Sequence, residues 1–248
     1  MAKQAPEPPA FGLNDLRLPD DLRAPLHAHL AALRERYIER GWGGRTGFGE
    51  RPALIVIDLA LFWTDAHNRC TGSNVDSIVD AACQLLQEAR AAGIPIFFTT
   101  WDYDPAYPPS PHDEKLRYNL KAGDEKLFEL DSRLGRLPHE KIVRKRYASA
   151  FRATTLHDNL TALGVDTLIV TGVSTSHCVY ATCRDATDSF RVVVPREAVG
   201  ERCELMHEVN LLDIDIDLAD VVPVSEAANY LRRLSSKRPA QPRTQATA

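Results

Sequence analysis

Cys178 is the residue whose setting most favours covalent chemistry. It follows the apolar run 167–171 and the residues Gly172 to Ser176, where the chain turns into a predicted helix. A cysteine at a helix N-terminus lies at the positive end of the helix dipole, which favours the nucleophilic thiolate, and the free N–H groups of such a turn can hold an oxyanion. The setting therefore predicts a nucleophile, although a lone cysteine can equally be a small buried hydrophobic residue. That second interpretation is taken for the other four cysteines, Cys70, Cys83, Cys183 and Cys203.

Two ionisable residues lie near the ends of other predicted strands. Asp58 interrupts the apolar run 53–63. Because a buried carboxylate without a partner is unfavourable, Asp58 is expected either to accept the proton of a thiol or to bind the backbone N–H groups of the following loop. Lys145 is the middle of three consecutive cations, Arg144 to Arg146, and taken alone this pattern is typical of a solvated strand edge.

The remaining polar clusters predict neither a metal site nor a phosphate site. His177 precedes Cys178, but adjacent residues of a helix do not face each other, so a supporting or packing role is expected for His177. Asp102, Asp104 and His112 lack the spacing of metal ligands. The glycines between positions 41 and 49 precede the first predicted core strand, so they cannot form a strand-to-helix phosphate loop.

Strands and helices alternate along the chain from about residue 51. Apolar runs predict strands at 53–59, 94–100, 141–145, 167–171, 191–194 and 220–224. Amphipathic stretches predict helices at 22–40, 74–92, 154–163, after 176, at 206–219 and at 225–234. This alternation predicts an α/β fold with three layers (αβα) around a roughly six-stranded parallel sheet. In such sheets ligands bind beyond the carboxyl ends of the strands. Asp58, Lys145 and Cys178 each lie at or just after a predicted strand end, which makes them the residues to consider for a site.

The expected organisation is a single catalytic domain at 51–234 with two appendages. Residues 1–50 form an N-terminal arm with a Gly-rich loop, which packs on the body or on a neighbouring subunit, and residues 235–248 form a polar, disordered tail. The polar, Pro-rich insertion 101–138 is expected to cover the site.

The composition excludes several classes of partner. The chain has 248 residues, 44% hydrophobic and 26% charged, with a formal charge of -4, so general binding to nucleic acid or to an acidic membrane is not expected. The longest apolar run, interrupted by Asp58, is shorter than the roughly 20 residues of a membrane span. The first residues lack the apolar block of a secretory signal, and five cysteines do not form a disulfide framework. A cytoplasmic protein with a small-molecule substrate is therefore expected.

The order and spacing of the three candidate residues resemble a known superfamily. Asp58 at the end of 56–58, Lys145 followed by 149–151, and Cys178 within 172–179 resemble the isochorismatase-like cysteine hydrolases, over about residues 51–231. Three further segments resemble the N-carbamoylsarcosine amidohydrolase branch of that superfamily, at 37–54, 194–202 and 207–215.

The resemblance implies a mechanism. Asp58 accepts the proton of Cys178, and the thiolate attacks an amide or ureido carbonyl. Lys145 lowers the pKa of the thiol and stabilises developing charge. The N–H groups of Ser174 and Cys178 hold the oxyanion, with a cis peptide between Val173 and Ser174. Ammonia leaves, and water hydrolyses the thioester.

The resemblance also implies binding residues and an assembly. Arg202 and Arg196 are candidates for a substrate carboxylate, although either can be a structural ion-pair partner, and Thr175 and Trp63 are candidates for lining the pocket. The family implies a homo-oligomer, often a tetramer. Nicotinamidases carry an Asp-x-His metal motif where this chain reads Asp102-Tyr-Asp104, so no metal and no cofactor are expected.

Alternatives remain open within this superfamily and outside catalysis. The leading expectation is a metal-independent cysteine amidohydrolase of an N-carbamoylsarcosine-like compound. Maleamate, a ureido acid or nicotinamide are alternative substrates. A catalytically silent protein that binds a small molecule or a partner is the alternative from another class.

Overall fold

The computed structural model of the protein describes residues 17–65, 75–116 and 120–237, and its central feature is a parallel sheet. The strands are β1 (Pro52–Ile57), β2 (Ile96–Trp101), β3 (Lys141–Lys145), β4 (Thr167–Val173), β5 (Arg191–Pro195), β6 (Val199–Gly200) and β7 (Asp220–Val222). Six of them follow the order β3-β2-β1-β4-β5-β7, and β6 pairs with β4 beside this path. All of these pairings are parallel.

Helices cover both faces of the sheet. They are α1 (Asp20–Glu39), α2 (Leu61–Thr64), α3 (Asp76–Ala92), α4 (Pro111–Leu116), α5 (Leu156–Ala162), α6 (Tyr180–Ala186), α7 (Glu204–Asp217) and α8 (Val224–Lys237). Alternate residues of a strand face opposite sides: Ile55 and Ile57 pack with α5, α6 and α7, whereas Leu54 and Val56 pack with α3 and α8. The predicted three-layer α/β fold is confirmed. Across the described ranges, no helix has both the length and the apolar character needed to cross a membrane.

The structure differs from the sequence-based expectation at several boundaries. β1 ends at Ile57 rather than at residue 59, because Asp58 adopts a left-handed backbone conformation with φ 51°. The two-residue strand β6 was not expected and makes the sheet seven-stranded. Helix α8 continues to Lys237, so the first three residues of the expected tail are helical. Residues 1–16 and 238–248, together with Cys70, lie outside the described residues.

The described part of the N-terminal arm packs on the body of its own chain. The Arg23 side chain donates a hydrogen bond to Glu204 at 2.9 Å, and Arg34 lies 2.6 Å from Asp215. The N–H of Gly43 donates to the carbonyl of Ile216 at 3.0 Å. These contacts all reach α7 or its C-terminal end, so the arm is anchored along that helix.

Gly172 allows β4 to run close beside the end of β1. It pairs with Ile57 in the sheet register and has φ 108°. A Cβ atom at this position would collide with the carbonyl oxygen of Ile57, and only glycine combines this conformation with so close an approach. The residues that follow β1 and β4 therefore emerge side by side at the same edge of the sheet.

Candidate active site

The carboxyl ends of β1, β3 and β4 bring together the three residues expected to carry chemistry. Lys145 Nζ lies 2.8 Å from Asp58 Oδ2 and 3.3 Å from Cys178 Sγ. All three residues are buried, with exposed fractions of 4%, 5% and 6% for Asp58, Lys145 and Cys178. The cluster thus forms a continuous contact of carboxylate, ammonium and thiol.

The carboxylate of Asp58 has partners on both oxygens. Its Oδ1 accepts a hydrogen bond from the hydroxyl of the buried Thr99 at 2.6 Å, and its Oδ2 faces Lys145. The left-handed backbone of Asp58 ends the strand, and the N–H of Asp58 donates to the carbonyl of Thr99 at 3.2 Å. The side chain is therefore aimed at Lys145 by its neighbours in the sheet.

Lys145 is buried although β3 lies at the edge of the sheet. Side chains alternate along β3, so that Val143 and Lys145 are buried while Arg144 is exposed. The Lys145 ammonium also donates to the carbonyl oxygen of Tyr147 at 3.2 Å. Taken alone, the cationic run predicts that these side chains are solvated. That prediction is wrong for Lys145 and correct for Arg144.

The electrostatics of the cluster favour a neutral thiol beside a charged lysine. Burial opposes the charge of Lys145, but Asp58 and Cys178 outweigh it and raise the pKa of Lys145 above its ordinary value. Burial and the carboxylate of Asp58 raise the pKa of the Cys178 thiol, and Lys145 only partly offsets them. The expectation that Lys145 lowers the thiol pKa is right in direction for that pair, but the net shift is upward. Thiolate formation therefore needs a proton acceptor.

His177 lies much closer to the thiol than its sequence position suggested. Residues Thr175–Val179 form a single π-helical turn ahead of α6, and His177 Nδ1 lies 3.3 Å from Cys178 Sγ. The imidazole also stacks on His112, with ring centroids 5.1 Å apart and an interplanar angle of 8°. The expectation of a packing role rested on regular α-helical geometry, which this wider turn does not follow.

A cavity of about 130 Å³ opens above the cluster. Asp58, Lys145, Cys178 and Ser174 form its buried side, while exposed side chains such as His177 surround its opening. The insertion 101–138 contributes to the wall through Trp101, His112, Asp113 and Leu116. Asp58, Lys145 and Cys178 therefore line one cavity that a ligand can enter.

The structure separates the expected binding residues into two groups. Trp63, Ser174 and Arg202 line the cavity. Thr175 does not, because it is fully buried and its hydroxyl is hydrogen-bonded to His207 Nδ1 at 2.9 Å. Arg196 lines a different groove, between α1 and α7, and forms an ion pair with Glu208. Thr175 and Arg196 thus lie outside the cavity, whereas Arg202, whose Nε lies 3.7 Å from Glu201 Oε1, lines it. Arg202 remains the candidate for an anionic substrate group.

Glu201 is a residue of the site that sequence reasoning missed. Its side chain is 0% exposed and lines the cavity. One carboxylate oxygen accepts the N–H of Ser176 and the other the N–H of Arg202, each at 2.8 Å. Glu201 follows the unexpected strand β6, and an isolated Glu beside a candidate Arg is too weak a signal to single out. The carboxylate joins β6 to the turn that carries Cys178.

The peptide between Val173 and Ser174, just ahead of the nucleophile turn, is cis, as the resemblance implies.

The other described cysteines are buried or half-buried. Cys183 is fully buried in α6, and Cys83 is half-buried with its thiol donating to the carbonyl of Arg133 at 3.4 Å. Cys203 is half-buried before α7. Within the described residues, no three His, Cys, Asp or Glu side chains are grouped as metal ligands would be.

The fold and the site together define an α/β protein with a buried Asp–Lys–Cys cluster at the carboxyl edge of a parallel sheet. The Isochorismatase domain model matches residues 52–226. The chain belongs to the isochorismatase family.

Known proteins extend this assignment. The chain is 33% identical over 234 residues to N-carbamoylsarcosine amidase of Arthrobacter sp, which covers 88% of this chain and 89% of the relative. It is 36% identical over 204 residues to maleamate amidohydrolase of Pseudomonas putida, which covers 78% of this chain and 93% of the relative. The resemblance to this superfamily and its N-carbamoylsarcosine branch is confirmed. So is the predicted enzyme class, a hydrolase of non-peptide carbon–nitrogen bonds: the chain is an amidohydrolase of the isochorismatase family.

A solved structure supports the fold independently. A cysteine hydrolase from Pseudomonas syringae pv. phaseolicola superposes with a TM-score of 0.71 at 22% identity, covering 77% of this chain and 97% of that one. At this identity the likeness concerns the fold alone. It agrees with the layers and the parallel sheet described above.

Proposed function

We propose that the protein is a cysteine amidohydrolase that cleaves a C–N bond of a small carbamoyl or carboxamide compound and releases ammonia through a thioester on Cys178. The observation that carries the proposal is the buried contact of Cys178 Sγ with Lys145 Nζ at 3.3 Å, while the same ammonium lies 2.8 Å from Asp58 Oδ2. A nucleophile, a cation and a proton acceptor are the groups that acyl transfer through a thioester requires.

Asp58 acts as the base in the first half-reaction. Because burial and Asp58 raise the pKa of the Cys178 thiol, the thiolate forms as its proton moves to the carboxylate and the sulfur attacks the carbonyl carbon. Lys145 faces the negative charge that develops on sulfur. The backbone N–H groups of Ser174 and Cys178 hold the oxyanion.

The same groups serve the release of ammonia and the hydrolysis of the thioester. Asp58 returns the proton to the leaving nitrogen, the C–N bond breaks and ammonia departs. Water then gives a proton to Asp58 as its oxygen attacks the thioester. As the C–S bond breaks, Asp58 passes that proton to the sulfur, which restores both the thiol and the carboxylate. Lys145 supplies the positive charge throughout, so that the mechanism uses neither metal nor cofactor.

The cavity favours a compact substrate with an anionic group. Its volume is about 130 Å³, and the half-exposed Arg202 side chain at its edge is suited to a carboxylate. The two relatives named for N-carbamoylsarcosine and maleamate support an N-carbamoylsarcosine-like substrate first. Maleamate, ureido acids and nicotinamide are the alternatives within the same chemistry.

The proposal extends to the organisation of the protein. We propose a catalytic domain at 51–234, an arm at 1–50, a tail after α8, and a homotetramer in the cytoplasm. In support of an assembly, the arm leaves apolar side chains exposed on α1, among them Leu22, Tyr37 and Ile38. Sedimentation equilibrium should give four subunits, and a monomer at micromolar concentration would contradict this part of the proposal.

Ammonia release tests the proposed function directly. The panel contains N-carbamoylsarcosine, other N-carbamoyl acids, maleamate, nicotinamide and simple amides. Cys178→Ala and Asp58→Asn should each lower the rate by about a thousandfold or more, because the nucleophile or its base is lost. Cys83→Ala is the matched control, since that thiol lies outside the cavity, and it should keep the wild-type rate.

Two outcomes would contradict the proposal. Ammonia release that survives in Cys178→Ala would exclude the thioester. No release from any compound, together with a Cys178 thiol that resists alkylation, would favour the silent ligand-binding alternative.

A further inference from the structure

His177 presents a ring nitrogen to the sulfur atom that is proposed to react. Its Nδ1 lies 3.3 Å from Cys178 Sγ, the same distance as Lys145 Nζ from that sulfur. The imidazole lines the cavity, and the stacked His112 ring fixes its plane. The wide π-helical turn at Thr175–Val179 makes this contact between neighbouring residues possible.

The number of hydrogens available around the Cys178 sulfur indicates which group donates in its contact with His177 Nδ1. A thiol has one hydrogen to donate, and in the proposed mechanism Asp58 is the group that accepts it. Lys145 has donors only. If Nδ1 of His177 carried a lone pair, that lone pair would face the lone pairs of sulfur, so the favourable tautomer places the hydrogen on Nδ1.

The charges that face His177 favour a neutral ring. Partial desolvation lowers the pKa of His177, and the neighbours His112, Lys145 and Arg202 act in the same direction, with Asp58 opposing them. A neutral imidazole has one N–H. With that hydrogen on Nδ1, the neutral ring can donate a hydrogen bond to the sulfur without placing a second positive charge beside that of Lys145.

We propose that His177 is a further catalytic residue, whose Nδ1–H donates a hydrogen bond to the Cys178 thiolate. The proposal rests on the proposed function and names one more group for it. In the first half-reaction the thiol proton goes to Asp58, and the sulfur uses its electron pair to attack while His177 keeps its own proton. In the second, the C–S electron pair returns to a sulfur that Lys145 and His177 both face, and Asp58 reprotonates it.

Alkylation of Cys178 by iodoacetamide tests this donor without any knowledge of the substrate. The rate is followed against pH in the wild type, His177→Ala and His177→Asn, and the labelled peptide is identified by mass spectrometry, with Cys178→Ala as the unlabelled control. In His177→Ala the pH of half-maximal alkylation should rise by about one unit, and the rate at neutral pH should fall about tenfold, because a donor to the charged sulfur is lost.

The asparagine variant separates a donor from mere bulk. The side-chain amide of asparagine can place an N–H near the position of Nδ1, so His177→Asn should recover alkylation to within about threefold of the wild type. Because His177 is exposed on one side, both variants should fold, and circular dichroism spectra matching the wild type would establish this.

Three results would overturn the role of His177. They are wild-type alkylation in His177→Ala, a His177→Asn variant as slow as His177→Ala, and a His177→Ala profile shifted to lower pH. If ammonia release stays intact while alkylation is unchanged in both variants, this inference alone fails. If no compound of the panel releases ammonia although the alkylation pattern appears as expected, the proposed substrate class fails and the donor assignment stands.

Discussion

At the scale of single residues, the protonation of Cys178 links the site to the stability of the protein. The thiol is buried against Asp58 and Lys145, and its pKa is raised above the ordinary 9.0. The folded state therefore keeps a proton that the unfolded chain releases at alkaline pH. By linkage, the stability that this proton contributes is complete below pH 9 and is lost as the pH rises towards the folded pKa.

This sign predicts a difference between the wild type and Cys178→Ala. Between pH 7 and pH 10, the free energy of unfolding of the wild type should fall by about 1 kcal/mol more than that of Cys178→Ala, since the unfolded thiol ionises and the folded thiol does not. Urea unfolding at the two pH values measures it, and the difference cancels the contributions of other groups, including the buried Cys183. Parallel curves for the two proteins would show that the folded thiol ionises as readily as the unfolded one.

At the scale of secondary-structure elements, the site depends on how β6 is joined to the nucleophile turn. The Glu201 carboxylate accepts the N–H groups of Ser176 and Arg202. We expect Glu201 to act as a positioning residue, which holds the turn so that Cys178 faces Asp58 and Lys145.

Glu201→Gln tests this positioning against a close control. The amide keeps one acceptor but presents its NH₂ group to a backbone N–H, so one of the two hydrogen bonds is lost. The rate of Cys178 alkylation at neutral pH should fall by about tenfold because the nucleophile turn is held less firmly, and the free energy of unfolding should fall by about 1–2 kcal/mol. Glu197→Gln is the control, because Glu197 also accepts a backbone N–H, that of Val224 at 2.7 Å, but outside the cavity. Equal alkylation rates in the two variants would leave Glu201 with a structural role only.

The elements also show what the sequence could and could not predict. Continuous apolar runs such as that of β1 identify buried parallel strands, so the strand-end positions of Asp58, Lys145 and Cys178 could be predicted. The contact of Lys145 with the other two residues followed only from the family resemblance, because the cationic run alone predicts a solvated edge. The contact of His177 with sulfur depends on a π-helical turn, which has no sequence signature of its own. Glu201 depends on β6, which is only two residues long and falls below any periodic signal. The contact of His177 with the sulfur and the place of Glu201 in the site could therefore be recognised only in the structure.

At the scale of the whole molecule, the described part of the arm is bound to the body through a buried carboxylate. The side chain of Asp215 on α7 is 8% exposed and lies 2.6 Å from Arg34 and 2.9 Å from Arg45. Its Oδ1 also accepts the N–H of Val221 at 3.0 Å. Both arginines come from the segment before β1, so Asp215 connects that segment to the sheet as well as to its own helix.

Removing this charge should weaken the whole fold. Asp215→Asn loses two ion pairs at a buried position, and we expect the free energy of unfolding to fall by about 2 kcal/mol, less than for a fully buried pair because both arginines are partly exposed. Asp217→Asn is the matched control on the same helix: its pair with Arg184 is exposed on both sides, so a loss below about 0.5 kcal/mol is expected.

Urea unfolding followed by tryptophan fluorescence compares the two variants, and Trp42 and Trp63 report on the arm and the body. If the arm folds with the body, one transition shifts as a unit in Asp215→Asn. Two separate transitions would show that the arm unfolds independently of the body, and equal losses in the two variants would show that Asp215 contributes no more than an exposed ion pair.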